Sequence, residues 1–145
     1  MNITLRNAAM EDAEMLLLWR NDEETRRQSF NTDVVPLENH IKWLTAVLAN
    51  PARLLFVAEV DGIPSGTIRA DKDADGSSEL SWTVAPEMRG RGIGKVMLIA
   101  ACELLPGDLT AQVKTENAAS MNIAESVGFV LEKEEDGVLH YRLTR

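Results

Sequence analysis

Three glycines alternate with charged and apolar residues between Arg89 and Lys95, in the stretch RGRGIGK. A glycine has no Cβ, so the backbone amides of such a stretch can approach a ligand closely. The stretch precedes an apolar run that is typical of a helix, and the first amide groups of a helix have no partner inside it. Together with the positive end of the helix dipole, these amides favour an anion. The spacing therefore predicts a cradle for a phosphate or pyrophosphate group.

Two familiar phosphate-binding loops do not fit this stretch. A P-loop needs Ser or Thr after its glycine–lysine pair, and a glycine five residues before that pair, whereas Val96 follows Lys95 and no such glycine precedes Gly94. A dinucleotide fingerprint needs G-x-G-x-x-G after the first strand of its unit, but these glycines have the spacing G-x-G-x-G after a late strand. Glycine spacing alone is equally typical of ordinary turns at the start of a helix.

The wider pattern V-x-P-x-x-R-G-x-G-x-G, which begins at Val84, resembles the cofactor motif of the GCN5-related N-acetyltransferase (GNAT) family. The family motif has the form [Q/R]-x-x-G-x-[G/A], and residues 89–94 match it. The segment ENAASMNIAESVGF resembles the second motif of the family, in which an Asn after a strand is followed by a short helix and Gly-Phe. The resemblance covers nearly the whole chain and implies one acetyltransferase domain over residues 1–145.

The resemblance implies that acetyl-coenzyme A (acetyl-CoA) is the co-substrate. Val84 is expected to offer backbone groups to the pantetheine arm, and the amides of residues 91–95 to hold the pyrophosphate. Asn117 is expected to orient the cofactor or its thioester, with help from Ser120. The predicted cofactor-binding residues are Val84, Arg89, Gly90, Arg91, Gly92, Ile93, Gly94, Lys95, Asn117 and Ser120.

The implied reaction is direct attack of an amine on the acetyl thioester, and the amine must lose a proton in this reaction. Many family members place a Tyr seven residues after the motif's Asn, where this chain has Ala124. Tyr141, the only tyrosine, is a candidate substitute for that general acid; the alternative is an aromatic residue packed in a strand. Glu79 is the candidate base, and the alternatives are a solvated carboxylate at a strand edge and a water chain.

Two further stretches, LLLWRNDEETRRQSF and ENHIKWL, resemble one branch of the family. That branch contains enzymes that acetylate 4-amino groups of nucleotide-linked sugars and enzymes that acetylate the amino termini of ribosomal proteins. The predicted substrate-binding residues are Arg20, Asn21, His40 and Trp43. Arg20 is suited to clamp a diphosphate, Trp43 to stack on a base, and His40 to bond a phosphate or a sugar hydroxyl. Trp43 is equally typical of a helix core, and His40 of a helix surface.

The acceptor stays open between a small-molecule amino-sugar nucleotide, a protein amino terminus and a small amine such as a polyamine. A non-catalytic sensor domain that binds acyl-CoA is the alternative of another class. The missing tyrosine at Ala124 keeps this alternative open.

Composition argues against several other classes. The chain has 15 Lys and Arg against 23 Asp and Glu, a net charge of −8. This charge argues against a protein that binds nucleic acids or anionic membranes. The single cysteine, Cys102, excludes an internal disulfide, and one cysteine with two histidines leaves no zinc spacing, so no metal is expected. No apolar run reaches the roughly 20 residues that span a bilayer, and the N-terminus lacks the signal-peptide pattern. A cytoplasmic protein is therefore expected.

The elements that must position these residues follow from hydrophobic periodicity. ITLRNA alternates as a strand, MEDAEMLLLWRNDEETRRQSF is typical of one helix, and LENHIKWLTAVLAN of a second with Leu37, Ile41, Leu44 and Leu48 on one face. Next come strands RLLFVAEV, SGTIRAD and SELSWTVA, a helix around MLIAACELL, strand LTAQVKT, helix AASMNIAESV and the hairpin FVLEKE–VLHYRLT. The predicted fold is α+β (mixed α/β), with a mostly antiparallel sheet of about seven strands flanked by about four helices. The resemblance adds that strands splay at the cofactor site. Such strands often pair between subunits in the family, so the resemblance includes a homodimer among the expected assemblies.

Overall fold

One sheet contains all the strands of the computed structural model, which describes residues 1–145. The strands are β1 (Ile3–Asn7), β2 (Arg53–Val60), β3 (Ile63–Lys72), β4 (Ser78–Val84), β5 (Leu109–Lys114), β6 (Val130–Glu135) and β7 (Val138–Leu143). The helices are α1 (Ala13–Asn21), α2 (Glu23–Gln28), α3 (Leu37–Ala49), α4 (Ile93–Leu104) and α5 (Ala118–Val127), with short 3-10 helices at Met10–Asp12 and Pro86–Met88. None of these helices has both the length and the apolar character needed to cross a membrane.

The sheet has the order β1-β2-β3-β4-β5-β7-β6, and every neighbouring pair is antiparallel except β4 and β5, which are parallel. The predicted α+β fold with a mostly antiparallel seven-stranded sheet is therefore confirmed. The sheet uses strands from both ends of the chain, so the sequence forms one continuous layered unit.

β4 and β5 diverge partway along their length. Pairing begins between Ser78 and Leu109 and ends between Leu80 and Ala111. Beyond that point residues 81–84 of β4 and 112–114 of β5 have no ladder between them, and we call the space between these segments the gap. Backbone groups that face the gap need other partners, which a ligand can supply. The splayed strands that the resemblance implies are therefore confirmed.

Side chains alternate between the two faces of the sheet, and each face has its own core. The α4–α5 face packs Leu80 and Met97 among its buried residues. The α1–α3 face packs Trp19, Leu44 and Val57. Neighbouring residues of β4 therefore point to different sides of the molecule, and this alternation decides which of them can share a site.

The long helix expected after β1 is two helices, so five α-helices rather than about four flank the sheet. Asp22 separates them with the extended dihedral angles φ −55° and ψ 138°. Its carboxylate accepts the backbone N–H of Thr25 at 3.1 Å and so caps α2. The prediction of one helix was wrong because an acid followed by two glutamates is typical both of a helix interior and of a cap with its first turn.

α3 packs on the sheet through a face that is rotated from the one expected and overlaps it at Ile41 and Leu44. Its buried residues are His40, Leu44 and Val47, whereas Leu37 is 52% exposed and Leu48 is 39% exposed. The expected face is therefore correct for Leu44, which is buried, and Ile41, which packs against the core, but wrong for its two end residues, because the neighbouring stripe with His40 has the same helical spacing. The rotation brings His40 to the α1–α3 face.

Candidate functional site

The glycine stretch forms a left-handed turn at the start of α4. Gly90 and Gly92 have φ of 76° and 77°, a conformation that glycine adopts without steric cost. A Cβ at either position would meet no atom within 4 Å. The backbone of this turn is therefore open to a ligand.

The amides of residues 90–95, which we call the cradle, make no hydrogen bond within the protein. The amides of Met88 and Arg89 donate to Ala85 and Pro86, and the next recorded donation comes from Val96 to the carbonyl of Gly92 at 3.4 Å. No side chain caps the start of α4. Consecutive free donors at a helix N-terminus are suited to an anion, so the cradle fits a pyrophosphate.

The other residues of the stretch have different surroundings. Arg91 and Lys95 are exposed, and their charges add to the positive potential at the cradle. The side chain of Ile93 is buried, so only its amide is available. Gly94 is closely packed, because a Cβ there would lie 2.6 Å from Cδ1 of Ile123, whose side chain would have to shift, and 3.4 Å from Cγ2 of Val84.

Arg89 is turned away from the cradle. Its guanidinium hydrogen-bonds the carboxylate of Asp22 and, at 3.1 Å, the hydroxyl of Thr25. Its own amide donates to the carbonyl of Pro86 at 3.5 Å. Both its amide and its guanidinium have protein partners in this structure, and the contact of Arg89 with the cofactor stays a prediction.

Asn117 and Ser120 lie on the other side of the gap, just after β5. Oδ1 of Asn117 accepts the amide of Ser120 at 3.2 Å and caps α5. No protein acceptor is recorded for Nδ2 of Asn117, which leaves a free donor near the end of β5. Ala124, at the position where many family members have a tyrosine, is fully buried.

A cavity of about 580 Å³ opens on the α1–α3 face. β3 and β4 form its floor with Thr67, Arg69, Ser81 and Thr83, while α1, α3 and the loop between α2 and α3 form its walls. Ser81 and Thr83 belong to the segment of β4 that has separated from β5. The cavity and the gap therefore share a wall.

Arg20 lies in the cavity wall with one nitrogen unpaired. Its Nη2 group donates to the carbonyl of Asn31 at 2.8 Å, whereas Nη1 is buried and has no acceptor. Burial lowers the pKa of the guanidinium, and the charge of Arg26 acts in the same direction. A buried cationic donor without an acceptor is costly, so this arrangement favours an anionic ligand.

His40 and Trp43 stack in the same wall, with ring centres 5.7 Å apart and an interplanar angle of 28°. His40 is 3% exposed, and its Nε2 atom has no partner. Burial lowers the pKa of His40, and the charge of Arg20 acts in the same direction against a backbone hydrogen bond to Ala13, so the neutral ring is favoured. The structure brings Arg20, His40 and Trp43 into one cavity, and their role in binding stays a prediction.

Arg69 lines the cavity and was missed in the sequence. Its guanidinium carbon lies 5.9 Å from the centre of the Trp43 ring. Its Nε atom is 3.0 Å from Asp71, a carboxylate that also pairs with Arg53 at 2.9 Å. The signal was present, because Thr67 and Arg69 are the polar positions of an alternating strand and so face the side opposite its apolar residues.

Asn21 holds the cavity wall and does not line the cavity. Its Nδ2 group donates to the carbonyl of Val35 at 2.9 Å, and its Oδ1 atom accepts the amide of Val35 at 2.8 Å. Its side-chain amide thus fixes the loop between α2 and α3, and direct binding of substrate by Asn21 stays a prediction.

The two candidate catalytic residues lie outside the cavity. Glu79 is on the cavity side of β4, but it lies where β4 still pairs with β5 and accepts Nε2 of Gln112 at 2.9 Å. Tyr141 is 1% exposed on the α4–α5 face, and its hydroxyl donates to Glu125 at 2.7 Å. Burial and this hydrogen bond raise the pKa of Tyr141 to about 12. Tyr141 thus lies on the opposite side of the sheet from the cavity, a position that favours the packed strand aromatic of the alternative interpretation, and its role as the acid stays a prediction.

No group of three or more His, Cys, Asp or Glu side chains is placed to hold a metal ion.

The sequence matches the family model described as "Acetyltransferase (GNAT) domain" over residues 2–130. No curated protein matches the sequence significantly.

Several solved structures have a similar fold. A structure of the aminoglycoside acetyltransferase AAC(6')-Ib with coenzyme A is 20% identical, with a TM-score of 0.86 over 99% of this chain and 95% of that one. The spermidine N-acetyltransferase from Vibrio cholerae, with CoA and spermine, is 19% identical, with a TM-score of 0.87 over 98% of this chain and 95% of that one. RimL, a ribosomal L7/L12 alpha-N-protein acetyltransferase in complex with CoA, is 14% identical, with a TM-score of 0.85 over 99% of this chain and 94% of that one. At these identities the likeness concerns the fold.

Proposed function

Because the chain belongs to the GNAT acetyltransferase family, we propose that it acetylates an amine that also bears an anionic group, in particular the amino group of a nucleotide-linked sugar. Acetyl-CoA as acetyl donor and an amine as acceptor follow from the family. The anionic group and the sugar nucleotide are the proposal, and they rest on the cavity of the α1–α3 face.

The charge of the cavity is the observation that carries this proposal. Its charged lining consists of Arg20, Arg69 and Asp33; Arg69 pairs with Asp71 outside the lining, whereas Arg20 has no carboxylate partner. This positive lining stands in a chain whose net charge is −8. An anionic group would supply the acceptor that Nη1 of Arg20 lacks, whereas a polycationic amine would leave Nη1 without one and would be repelled by this unpaired guanidinium.

The size and the aromatic wall of the cavity agree with a nucleotide-linked acceptor. A volume of about 580 Å³ is in the range that holds small-molecule ligands. Trp43 is half-buried and offers a surface for a base, and Nε2 of His40 is a free polar atom beside it. These features support a ligand that combines an aromatic ring, polar hydroxyl groups and negative charge.

The cofactor side fits acetyl-CoA on the residues present. When bound, acetyl-CoA supplies an activated acetyl thioester. The cradle offers free amides for the pyrophosphate, the gap offers unpaired backbone groups near Val84, and Nδ2 of Asn117 offers a donor beyond β5. The gap adjoins the cavity, so an amine held in the cavity can reach it.

The proton of the amine needs an acceptor. Glu79 lies outside the cavity lining, and Tyr141 lies on the other face of the sheet. We therefore assign proton removal to solvent or to His40, whose ring is neutral and has a free Nε2 atom.

Titration calorimetry with UDP and uridine tests the anionic subsite directly. We expect UDP to bind at least about tenfold more tightly than uridine, because a hydrogen bond to a charged group contributes about 1.5–3 kcal/mol. Arg20→Gln should remove most of that difference. The control is Arg27→Gln, since Arg27 is exposed and pairs with Glu24 at 3.1 Å outside the cavity. Equal affinity for UDP and uridine would contradict the proposal.

A protein amino terminus is the second candidate acceptor. Phe30 and Val34, on the loop between α2 and α3, are 63% and 59% exposed, and Val34 lines the cavity. Exposed apolar side chains at a cavity mouth can pack against the first residues of a peptide. Acetyl transfer to the amino terminus of a peptide, by a protein that does not bind UDP, would identify a peptide as the substrate.

A further inference from the structure

Arg89 links the start of the cradle to the helices that build the cavity. Its guanidinium contacts Asp22, 67 positions earlier in the chain, and the hydroxyl of Thr25. The two side chains of this ion pair are 39% and 23% exposed, so solvent screens the pair only in part. The residue that follows Arg89 is Gly90, the first residue of the cradle.

Asp22 occupies an extended joint between α1 and α2. Besides Arg89, its carboxylate accepts the amide of Thr25 at 3.1 Å and the hydroxyl of Thr25 at 3.3 Å. The hydrogen bond from Arg89 holds the pKa of Asp22 below its usual range, so the carboxylate is charged at neutral pH. The same oxygen atom thus fixes both the joint and Arg89.

The two residues directly before Asp22 hold the wall of the cavity. Arg20 donates to the carbonyl of Asn31 at 2.8 Å, and Asn21 makes two hydrogen bonds to the backbone of Val35. The loop between α2 and α3 is therefore held from the same joint that holds Arg89.

We propose that Asp22 is a positioning residue that couples the cradle for acetyl-CoA to the wall of the acceptor cavity. A ligand that fixes the cradle restricts Arg89, and through the carboxylate of Asp22 it restricts the joint and the loop that the joint holds. Linkage makes the effect reciprocal, so an ordered loop raises the affinity of the cradle for its ligand. The inference rests on the proposed function only in taking coenzyme A as the ligand of the cradle.

The first test is the affinity for coenzyme A, measured by calorimetry on the full chain. Asp22→Ser keeps an oxygen that can cap α2, but its side chain is too short to reach Arg89. We expect it to raise the Kd for coenzyme A about fivefold to tenfold, the loss of one partly exposed charge-assisted hydrogen bond. The matched control is Glu24→Gln, which removes a carboxylate of the same helix that pairs with Arg27 at 3.1 Å.

A double-mutant cycle separates the pair from a general loss of structure. If Asp22 acts through Arg89, Asp22→Ser should change the Kd less than twofold in an Arg89→Gln background. An equal loss in both backgrounds would overturn the proposal, as would a wild-type Kd in Asp22→Ser itself. Should Asp22→Ser fail to fold, Arg89→Gln alone removes the same contact and leaves the Asp22 cap of α2 in place, and a wild-type Kd in Arg89→Gln would likewise overturn the proposal.

Hydrogen exchange at the amide of Val35 provides the second readout, and it needs no acceptor. Coenzyme A is expected to slow exchange of this amide in the wild type and in Glu24→Gln, and to leave it unchanged in Asp22→Ser. Protection that persists in Asp22→Ser would overturn the coupling. Failure of the wild type to bind coenzyme A would instead count against the proposed function.

Discussion

Replacement of Gly92 by valine perturbs the cradle without a clash inside the protein. Gly92 has φ 77°, and a Cβ at this position would meet no atom within 4 Å. A β-branched residue in this left-handed conformation costs about 1–2 kcal/mol, which a folded domain tolerates. The added side chain, however, occupies the open space in front of the cradle.

The expected loss of cofactor affinity follows from the free amides. Each hydrogen bond from an amide to a charged phosphate oxygen contributes about 1.5–3 kcal/mol. Loss of one or two such bonds amounts to about 3 kcal/mol, and 1.4 kcal/mol corresponds to a factor of ten in Kd. Gly92→Val should therefore weaken binding of coenzyme A roughly a hundredfold.

Calorimetry with coenzyme A and thermal unfolding form the assay, with Gly76→Val as the control. Gly76 has φ 87° and equally open surroundings, but it lies in the loop between β3 and β4. Both variants should lose similar stability, and only Gly92→Val should lose coenzyme A. A Kd within threefold of the wild type in Gly92→Val, or an equal loss in Gly76→Val, would refute the cradle.

Two further substitutions address the acceptor and the proton. Arg20→Gln should raise the KM for a UDP-linked amino sugar at least about tenfold and spare the Kd for coenzyme A, because one guanidinium–phosphate contact is lost; steady-state kinetics would show an unchanged KM if Arg20 were outside the site. Tyr141→Phe should keep kcat and KM within twofold, because the hydroxyl donates to Glu125 on the face of the sheet opposite the cavity. An inactive variant would instead indicate that Tyr141 is the general acid. Folding raises the pKa of Tyr141 from 10.0 to about 12, so the stability that its neutral hydroxyl gives the folded state is complete below pH 10 and is lost as the pH rises to 12. Unfolding of the wild type and of Tyr141→Phe across this pH range measures the loss.

Local patterns predicted most of the elements. The bounds of β2 and α5 agree with the predicted stretches at both ends, since alternating or helical apolar residues are flanked there by turn residues. Asp61 and Gly62, which join β2 to β3, both have positive φ, as the Asp-Gly pair of a tight hairpin does. The signals that set these elements lie within a few residues, so a sequence is sufficient to find them.

Contacts between distant residues could not be found in this way. The partner of Arg89 lies 67 positions away in the sequence. Asn21 hydrogen-bonds the backbone of a loop whose sequence has no hydrophobic periodicity to indicate its position. The face of α3 that carries His40 is chosen by the packing of the whole sheet, because two stripes with equal spacing compete. The gap was anticipated only through the family resemblance, since it depends on where β4 stops pairing with β5.

The central claim is tested most directly by thiol release from acetyl-CoA with a paired panel of acceptors. One half of the panel contains UDP-linked 4-amino-dideoxy sugars, and the other contains spermidine, kanamycin and a peptide with a free amino terminus. We expect release with the sugar nucleotides and little with the cationic amines, because the charged lining of the cavity has two guanidinium groups and one carboxylate. Release with spermidine, kanamycin or the peptide alone would contradict the proposed acceptor. Bound coenzyme A without release on any acceptor would contradict catalysis and favour a sensor domain.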